Sequence, residues 1–246
     1  MSALSPLAVN DVALADVLAR GDIWRGDALA RLPGQCIPSG HPELDEELPG
    51  GGWPCGNLTE FLVDRSGIGE LTLLLPALVR LAAAGGWLAL VAPPWLPHAP
   101  AWAAAGIAPE RLLVVRAGNE AAWCIEALLA SGGFAGVLAW PGSTLDAKAL
   151  RRLQVAAEGR SVFAALWRAA SAAVAPSPAP LRISLGPDTE ARTRGQLALR
   201  ILKRRGRPAS RPLSLDLARS GSRHRALAGP ALSLLAAGSP AAAAVA

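Results

Sequence analysis

The sequence predicts an α/β fold in which a mostly parallel sheet is covered by helices on both faces and extended by antiparallel strands toward the C-terminus. Three observations predict it. Short apolar segments alternate with helix-like segments between residues 57 and 167, a pattern typical of parallel sheets. After residue 180, strand-like segments follow one another with no helix between them, which favours antiparallel pairing. Apolar residues make up 52% of the chain, enough for a substantial core.

The predicted fold is organised around a strand, a glycine-containing turn and a helix. The apolar run 57–63 leads into Asp64-Arg65-Ser66-Gly67-Ile68-Gly69, and a strongly apolar segment follows. A phosphate-binding P-loop has this shape but ends in Gly-Lys-Ser/Thr. Here Glu70 stands at the lysine position, where its carboxylate would repel a triphosphate, and Leu71 lacks the hydroxyl that holds Mg²⁺. The residues predicted to form this degenerate P-loop are Ser66, Gly67, Gly69, Glu70 and Leu71.

Before this unit, the sequence predicts an N-terminal helix and a linker. Apolar residues recur through residues 1–21 in an amphipathic pattern. Trp24 in the linker is interpreted as a packing anchor, and the alternative is a side chain that docks a partner. Residues 39–48 predict a capped short helix with a solvated acidic face. The glycine-rich turn at 50–54 then delivers the chain into the strand.

The remaining elements are predicted from apolar periodicity and from the positions of glycine and proline. Helices are predicted over 70–84, 98–105, 120–130 and 146–158, the last capped by Asp146. Strands are predicted over 87–91, 112–115, 136–140 and 161–167, with 112–115 and 136–140 buried. A linker over 169–180 precedes the strand-like segments 181–185, 196–202 and 213–217. Pro93-Pro94-Trp95-Leu96-Pro97 predicts an extended loop.

These elements divide the chain into three parts. Residues 1–35 form the N-terminal helix and linker, and residues 36–218 form one α/β domain that carries the degenerate P-loop. Residues 219–246 form a tail rich in Ala, Gly, Ser and Pro. Because such a composition buries little apolar surface, the tail is predicted to be disordered.

The cysteines and histidines do not indicate a metal or cofactor site. Cys36, Cys55 and Cys124 form no Cys-x-x-Cys pair, and the three histidines are scattered. No cofactor, metal ion or catalytic residue is predicted. The longest apolar stretch, 71–91, is interrupted by a proline, an arginine and a glycine pair, so no membrane span is predicted. The sequence favours a soluble, cytoplasmic protein without membrane contact.

The charge is unevenly distributed along the chain. From Arg182 onward there are 12 Lys/Arg and 3 Asp/Glu, a net charge of +9, whereas the preceding part has a net charge of −4. This asymmetry indicates a basic surface that faces nucleic acid or an acidic protein. The alternative is a solvated strand edge that prevents sheet-to-sheet association. The candidate binding residues are Lys203, Arg204, Arg205 and Arg207.

Several motifs recur in the order known from one protein family. They are Trp24-Arg25-Gly26-Asp27, Ser39-Gly40 with Leu44-Asp45, the turn 48–54, Leu58-Thr59-Glu60, and the segments 102–107, 112–116, 199–208 and 213–217. In this order the chain resembles ImuA, the RecA-like protein family associated with translesion DNA synthesis in bacteria. The resemblance covers roughly residues 20 to 220.

The resemblance implies a RecA-like core over residues 36–218 and a role in the SOS response to DNA damage. Members of the family work with ImuB, a polymerase-like protein without polymerase activity, with an error-prone C-family DNA polymerase and with RecA. An active RecA-type ATPase has a catalytic glutamate after its second core strand, where this chain has Ala92-Pro93-Pro94. It has a Mg²⁺-binding aspartate at the position that is Trp140 here. Together with Glu70 and Leu71, these departures predict a non-catalytic adaptor for the error-prone polymerase that supports mutagenesis.

Two alternatives from other functional classes stay open. One is a residual ATPase or a recombinase-like DNA-binding protein, against which Glu70, Pro94 and Trp140 argue. The other is a cell-division inhibitor of the SulA type, a small binding protein related to this fold that would bind FtsZ. DNA contact through the basic C-terminal third is compatible with the adaptor and with the recombinase-like alternative.

Overall fold

The computed structural model describes residues 35–142, 145–188, 196–206 and 211–217. The predicted N-terminal helix, the predicted tail and Arg207 lie outside these residues. The strands are β1 (Cys36–Ile37), β2 (Trp53–Pro54), β3 (Asn57–Val63), β4 (Leu88–Val91), β5 (Leu112–Val115), β6 (Gly136–Ala139), β7 (Phe163–Ala169), β8 (Leu181–Pro187), β9 (Gln196–Lys203) and β10 (Leu213–Asp216). The α-helices are α1 (Pro42–Asp45), α2 (Glu70–Ala83), α3 (Ala99–Ala104), α4 (Ala121–Ser131) and α5 (Ala147–Ala157). Short 3₁₀ segments lie at Pro109–Arg111, Gly118–Glu120 and Ala170–Val174.

The main sheet has eight strands in the order β10-β9-β8-β3-β7-β6-β4-β5. Six neighbouring strands of this sheet are parallel, namely β8, β3, β7, β6, β4 and β5. Strand β9 is antiparallel to both of its neighbours, β8 and β10. The predicted α/β class with a mostly parallel sheet is therefore confirmed. From β3, the chain passes over β7 and β6 to reach β4, so the carboxyl end of β3 borders a point where the strand order changes direction. Ligand sites in open α/β sheets lie at such points.

Apolar clusters cover both faces of the sheet. Leu74 of α2 lies in one buried cluster with Phe61 and Trp167. Ile125 of α4 lies in the other with Leu166, and α5 packs beside it. Because successive residues of a strand point to opposite faces, each central strand contributes to both clusters. Helices therefore cover both faces, as the sequence predicts.

Helix α2 is the longest described helix, with 14 residues, and it contains Pro76. Gly40 packs directly on this proline, since a Cβ atom built on Gly40 would lie 2.5 Å from the Pro76 Cβ. Gly40 also has a φ of +87°, which disfavours any other residue. None of the described helices has both the length and the hydropathy that a bilayer crossing requires.

The predicted cap of α5 is confirmed. The Asp146 Oδ1 atom accepts a hydrogen bond of 2.7 Å from the Ala149 amide. The basic side chains of this helix are exposed, and Arg152 forms an ion pair with Glu126 of α4. The hydrogen bond from Arg152 lowers the pKa of the Glu126 carboxyl. The basic residues of α5 therefore form a solvated face, as predicted.

The predicted cap of the short acidic helix is wrong. Helix α1 begins after His41, whose side chain makes no cap hydrogen bond, and it covers only Pro42–Asp45. The Asp45 Oδ1 atom instead accepts a hydrogen bond of 2.8 Å from the Ser39 amide. A carboxylate inside the helix thus orders the segment that leads into it.

Strand β5 is predicted to be buried, and this prediction is wrong. The strand lies at the edge of the sheet, and Leu113 and Val114 are each 37% exposed. A short apolar run indicates a strand, but the run itself does not show whether a neighbour covers its second side.

Strand β8 joins the parallel part of the sheet to its antiparallel part. It pairs parallel to β3, with Leu181 opposite Thr59 and Leu185 opposite Val63. The connection from β7 contains the 3₁₀ segment Ala170–Val174, and it is long enough to return the chain to the same end of the sheet. On its other side, β8 pairs antiparallel to β9, and β9 pairs antiparallel to β10. The predicted antiparallel extension by the C-terminal strands is therefore confirmed.

Candidate functional site

The degenerate P-loop joins the carboxyl end of β3 to the first residue of α2. Gly67 and Gly69 both have positive φ angles, of 85° and 103°, a conformation that favours glycine. Gly69 is also in contact with Leu217, since a Cβ built on Gly69 would lie 2.5 Å from the Leu217 Cδ1 atom. Both glycines are therefore required by the shape of the turn.

The Glu70 carboxylate is bound by the backbone of its own loop. Its Oε1 atom accepts a hydrogen bond of 2.8 Å from the Gly67 amide, and its Oε2 atom accepts one of 2.9 Å from the Ile68 amide. Glu70 is buried at the first position of α2, where amide groups and the helix dipole favour an anion. The loop thus already holds a negative charge where a P-loop would hold a phosphate.

The other predicted loop residues are divided between solvent and the core. Ser66 is exposed, whereas Leu71 is partly buried and packs against the apolar cluster under α2. Gly67, Gly69, Glu70 and Leu71 all line one cavity. The structure therefore brings four of the five residues together, and Ser66 lies apart from them.

The cavity lies above the carboxyl ends of β3, β4 and β6, and its volume is about 450 Å³. Its apolar lining includes Leu71, Leu90, Trp95, Leu96, Trp102 and Trp140. Among the described residues, no lysine or arginine lines it, and its ionisable side chains are Glu70 and His98. This lining suits an apolar group and offers no positive charge to a phosphate.

The wall of the cavity follows the end of β4. Ala92 adopts a positive φ of 49°, which is unfavourable for a residue with a Cβ atom. Its amide donates a hydrogen bond of 2.8 Å to the Val115 carbonyl, which holds it in place. The proline-rich loop that follows places Trp95 and Leu96 at the cavity with 76% and 74% of their surfaces exposed.

The basic run begins in the last residue of β9 and continues into the following turn. The Lys203 Nζ atom donates a hydrogen bond of 2.8 Å to the Ser177 carbonyl. Arg204 donates to the carbonyl of Glu47, at 2.6 Å, and to its carboxylate, and only 4% of the Arg204 side chain is exposed. Arg205 is exposed, and Arg207 lies outside the described residues. The described charges therefore do not form one continuous free surface.

Sequence reasoning missed a buried ionic network beside β3. The Glu60 carboxylate is fully buried and accepts hydrogen bonds from Arg182 Nε at 2.8 Å, Ser177 Oγ at 2.6 Å and Arg168 at 3.3 Å. Arg182 also donates to three carbonyls of the segment after β7, those of Ala172, Ala173 and Ala175. The sequence did contain a sign of this network, because Glu60 and Arg182 are each the only charged residue in an otherwise mostly apolar strand.

The chain matches no model of a known protein family and no curated protein. Within the described residues, no group of three or more His, Cys, Asp or Glu side chains is arranged to hold a metal ion.

Proposed function

We propose that this protein is a non-catalytic, RecA-like accessory protein of a damage-induced translesion DNA synthesis complex in the cytoplasm. It acts as an adaptor for an error-prone C-family polymerase, together with an ImuB-type protein and RecA. The main support for the absence of catalysis is that the amides of Gly67 and Ile68 donate hydrogen bonds to the Glu70 carboxylate. The polymerase partners are inferred from the motif order alone.

Electrostatics supports the absence of phosphoryl transfer. A phosphate bound by the same amides would lie within about 4 Å of the Glu70 carboxylate, where two unit charges repel by about 4 kcal/mol at an effective dielectric constant near 20. Displacing the carboxylate would instead break both of its hydrogen bonds. Because the described cavity lining has no cationic side chain, nothing there would offset either cost.

The position of the loop supports a RecA-like core within this proposal. The strand before the loop is central in a mostly parallel sheet, and the cavity lies at the carboxyl edge of that sheet. Trp140 and the segment 92–94 follow two other parallel strands at the same edge. Pro93, Pro94 and Trp140 therefore line the same cavity as Glu70, and these three side chains are apolar.

A nucleotide assay tests the non-catalytic part. The ATP hydrolysis rate of the purified protein is expected to be no higher than that of a Glu70→Ala variant prepared in parallel. Calorimetry is expected to show no ATP binding. Turnover that survives repeated purification and is lost on substitution of the loop would overturn the proposal. A preparation of a known RecA-type ATPase serves as the positive control.

A pull-down from cells with damaged DNA tests the adaptor part. Recovery of the polymerase subunits and the ImuB-type protein on the tagged full-length chain is the expected result. Recovery of FtsZ without polymerase subunits would instead favour the cell-division inhibitor. A variant with Trp95→Asp, which alters the most exposed large side chain at the cavity, shows whether that face takes part.

A further inference from the structure

Strand β5 forms one edge of the main sheet and lacks the residues that usually protect such an edge. Among the described strands, it pairs only with β4, on one side. Its four residues, Leu112–Val115, are all apolar, and Leu113 and Val114 are each 37% exposed on opposite faces of the sheet. Soluble proteins commonly place a lysine, a proline or another charge in an edge strand, because an unprotected edge pairs with a further strand.

The other edge of the sheet does carry such protection. Strand β10 alternates apolar and polar positions, with Ser214 exposed and Asp216 as its last residue. A charge within an edge strand disfavours pairing with a further strand. Because β5 contains no polar or charged residue, it is the edge of the two that is suited to pairing.

The backbone of β5 offers a defined set of hydrogen-bonding groups at its outer side. The Val115 carbonyl accepts a hydrogen bond of 2.8 Å from the Ala92 amide, so Val115 turns its backbone groups toward β4. Successive residues of a strand turn their N–H and C=O groups to opposite edges. Leu113 therefore also faces β4, whereas Leu112 and Val114 turn their backbone groups outward. No described strand pairs with them on that side.

The two ends of β5 carry opposite charges. Glu110 before the strand and Arg116 after it are exposed, and neither side chain makes a hydrogen bond or an ion pair within the described part of the chain. Arg111 differs, because its guanidinium donates a hydrogen bond of 2.8 Å to the Gly85 carbonyl and lies 5.7 Å from the ring centroid of Trp87. The strand thus presents a carboxylate at its start and a guanidinium at its end.

We propose that two copies of this protein associate through β5, which pairs antiparallel with β5 of the second copy and joins the two eight-stranded sheets. In a two-fold dimer, residue i of one copy contacts residue j of the other, and j contacts i. When Leu113 lies opposite Leu113 on the axis, the outward groups of Leu112 bond to those of Val114 in the second copy. In this register Glu110 lies level with Arg116 of the second copy, on both sides of the axis.

Charge and backbone direction together select this register. Moving the pairing by two positions in either direction would place Val114 opposite Glu110, or Leu112 opposite Arg116, and would separate the two charges. The selected register also buries the exposed surfaces of Leu113 and Val114, which is favourable.

The interface is small, because only four residues of each strand pair. We expect a dissociation constant on the order of 10 µM, weaker than that of a standard interface. This self-association goes beyond the proposed adaptor function and does not depend on it, so its test uses the isolated full-length protein.

Charge reversal tests the pairing, with analytical ultracentrifugation as the measurement of the dissociation constant. Glu110→Arg places two arginines level with each other, and Arg116→Glu places two glutamates together. Each single variant is expected to weaken the dimer about tenfold. The double variant Glu110→Arg/Arg116→Glu restores opposite charges and is expected to return the dissociation constant to within about threefold of the parent value. Such a recovery identifies direct pairing, because a structural role of either residue alone would not be rescued.

A matched control separates pairing from a general effect of charge. Lys148→Glu makes the same change of charge as Arg116→Glu at an exposed position of α5, and it is expected to leave the dissociation constant unchanged. Far-UV circular dichroism and thermal unfolding establish that all variants are folded. A protein that stays monomeric at about 100 µM, tenfold above the expected constant, overturns the proposal, as it would if another part of the same chain covered β5. A dimer that does not respond to the charge variants overturns it as well.

Introduced cysteines test the register. The Cα atoms of a directly opposed pair without mutual hydrogen bonds lie about 4.5 Å apart, which a disulfide can bridge. Leu113→Cys is therefore expected to give a disulfide-linked dimer on mild oxidation, seen by non-reducing electrophoresis.

Val114→Cys is the comparison, because the two copies of Val114 lie on a diagonal, about 7–8 Å apart, and are expected to link poorly. The parent protein with its three native cysteines gives the background. Faster linkage of Val114→Cys than of Leu113→Cys contradicts this register, and so does linkage of both variants at the background level.

Discussion

The indole of Trp140 stacks on the indole of Trp167, with ring centroids 4.3 Å apart and planes inclined by 7°. Trp167 in turn stacks on Phe61 of β3, with a centroid distance of 5.2 Å. The three rings connect the end of β6 to the centre of the sheet, on the face covered by α2. The residue at the position where the family resemblance would place a Mg²⁺ ligand is therefore part of the core packing.

We expect Trp140→Asp to lower the free energy of unfolding by about 3–5 kcal/mol, because it removes a large packed ring and places a carboxylate in apolar surroundings. Urea unfolding followed by circular dichroism measures the change. The control is Trp123→Asp on exposed Trp123, which should change stability by less than about 1 kcal/mol. Equal effects of the two substitutions would show that the stack does not contribute to stability.

Glu70→Ala should destabilise the protein by about 2 kcal/mol, because two hydrogen bonds from backbone amides to a charged acceptor are lost. The same substitution should speed amide hydrogen exchange at Gly67 and Ile68, the two donors. Exposed Glu110 provides the matched control, since Glu110→Ala leaves these amides in place. Unchanged exchange at both amides would mean that the carboxylate does not hold the loop.

Glu60→Gln should lower the free energy of unfolding by about 3–5 kcal/mol, because it leaves the guanidinium of Arg182 buried without its counter-charge. The exposed pair of Arg152 and Glu126 gives the control, and Glu126→Gln should cost no more than about 1 kcal/mol. Chemical denaturation of both variants at one pH makes the comparison. Similar small effects would show that the network is not needed to attach β8 and its preceding segment.

Within the basic run, we expect Arg204 to stabilise the fold and the other three residues to bind DNA or a partner. Arg204→Ala is expected to lower thermal stability, because it breaks the contact with Glu47, without changing the salt dependence of DNA binding. Replacing Lys203, Arg205 and Arg207 together should reduce DNA affinity and lower the salt slope by about 0.9 per lost phosphate contact on duplex DNA, or about 0.7 on single strands.

A titration series of the parent protein, both variants and the fourfold alanine variant measures these changes, with binding to the ImuB-type protein measured in parallel. A loss of partner binding alone would identify a protein interface. If neither binding changes while the protein stays folded, the run is a solvated surface.

Stability should fall as the pH rises from about 9 to about 11. Burial raises the pKa of the Cys55 thiol to about 11, with a smaller contribution from nearby Cys36, whose own pKa is also raised by burial. In the unfolded chain the thiols ionise near their ordinary value of 9.0. Between these values the unfolded chain has lost protons that the folded chain keeps, so ionisation favours unfolding.

Thermal unfolding from pH 8 to 11 measures this effect with little interference, because the chain has no tyrosine and only two lysines. Cys55→Ala should flatten the pH dependence, whatever its effect on stability at pH 8, and Cys124→Ala should not. An unchanged slope in the Cys55 variant would assign the pH dependence to other groups.

The sequence by itself determined the elements around the degenerate P-loop. Strand β3 spans Asn57–Val63 as predicted, α2 begins at Glu70, and Asp146 caps α5. These features follow from apolar periodicity, from glycines with positive φ and from side chains that bond to a backbone amide three residues away. All of them are interactions between neighbours in the sequence, so a local pattern is enough to predict them.

Only the tertiary structure decided which charges are bound and which strands lie at an edge. Arg204 contacts Glu47 across 157 positions, and Arg182 contacts Glu60 across 122 positions. The direction of β8 and the exposure of β5 likewise depend on which strands become neighbours. A local pattern contains no information on such pairs, because each arises from the packing of segments that are distant in the sequence. The apolar cavity was therefore visible only once three strand ends had been brought together.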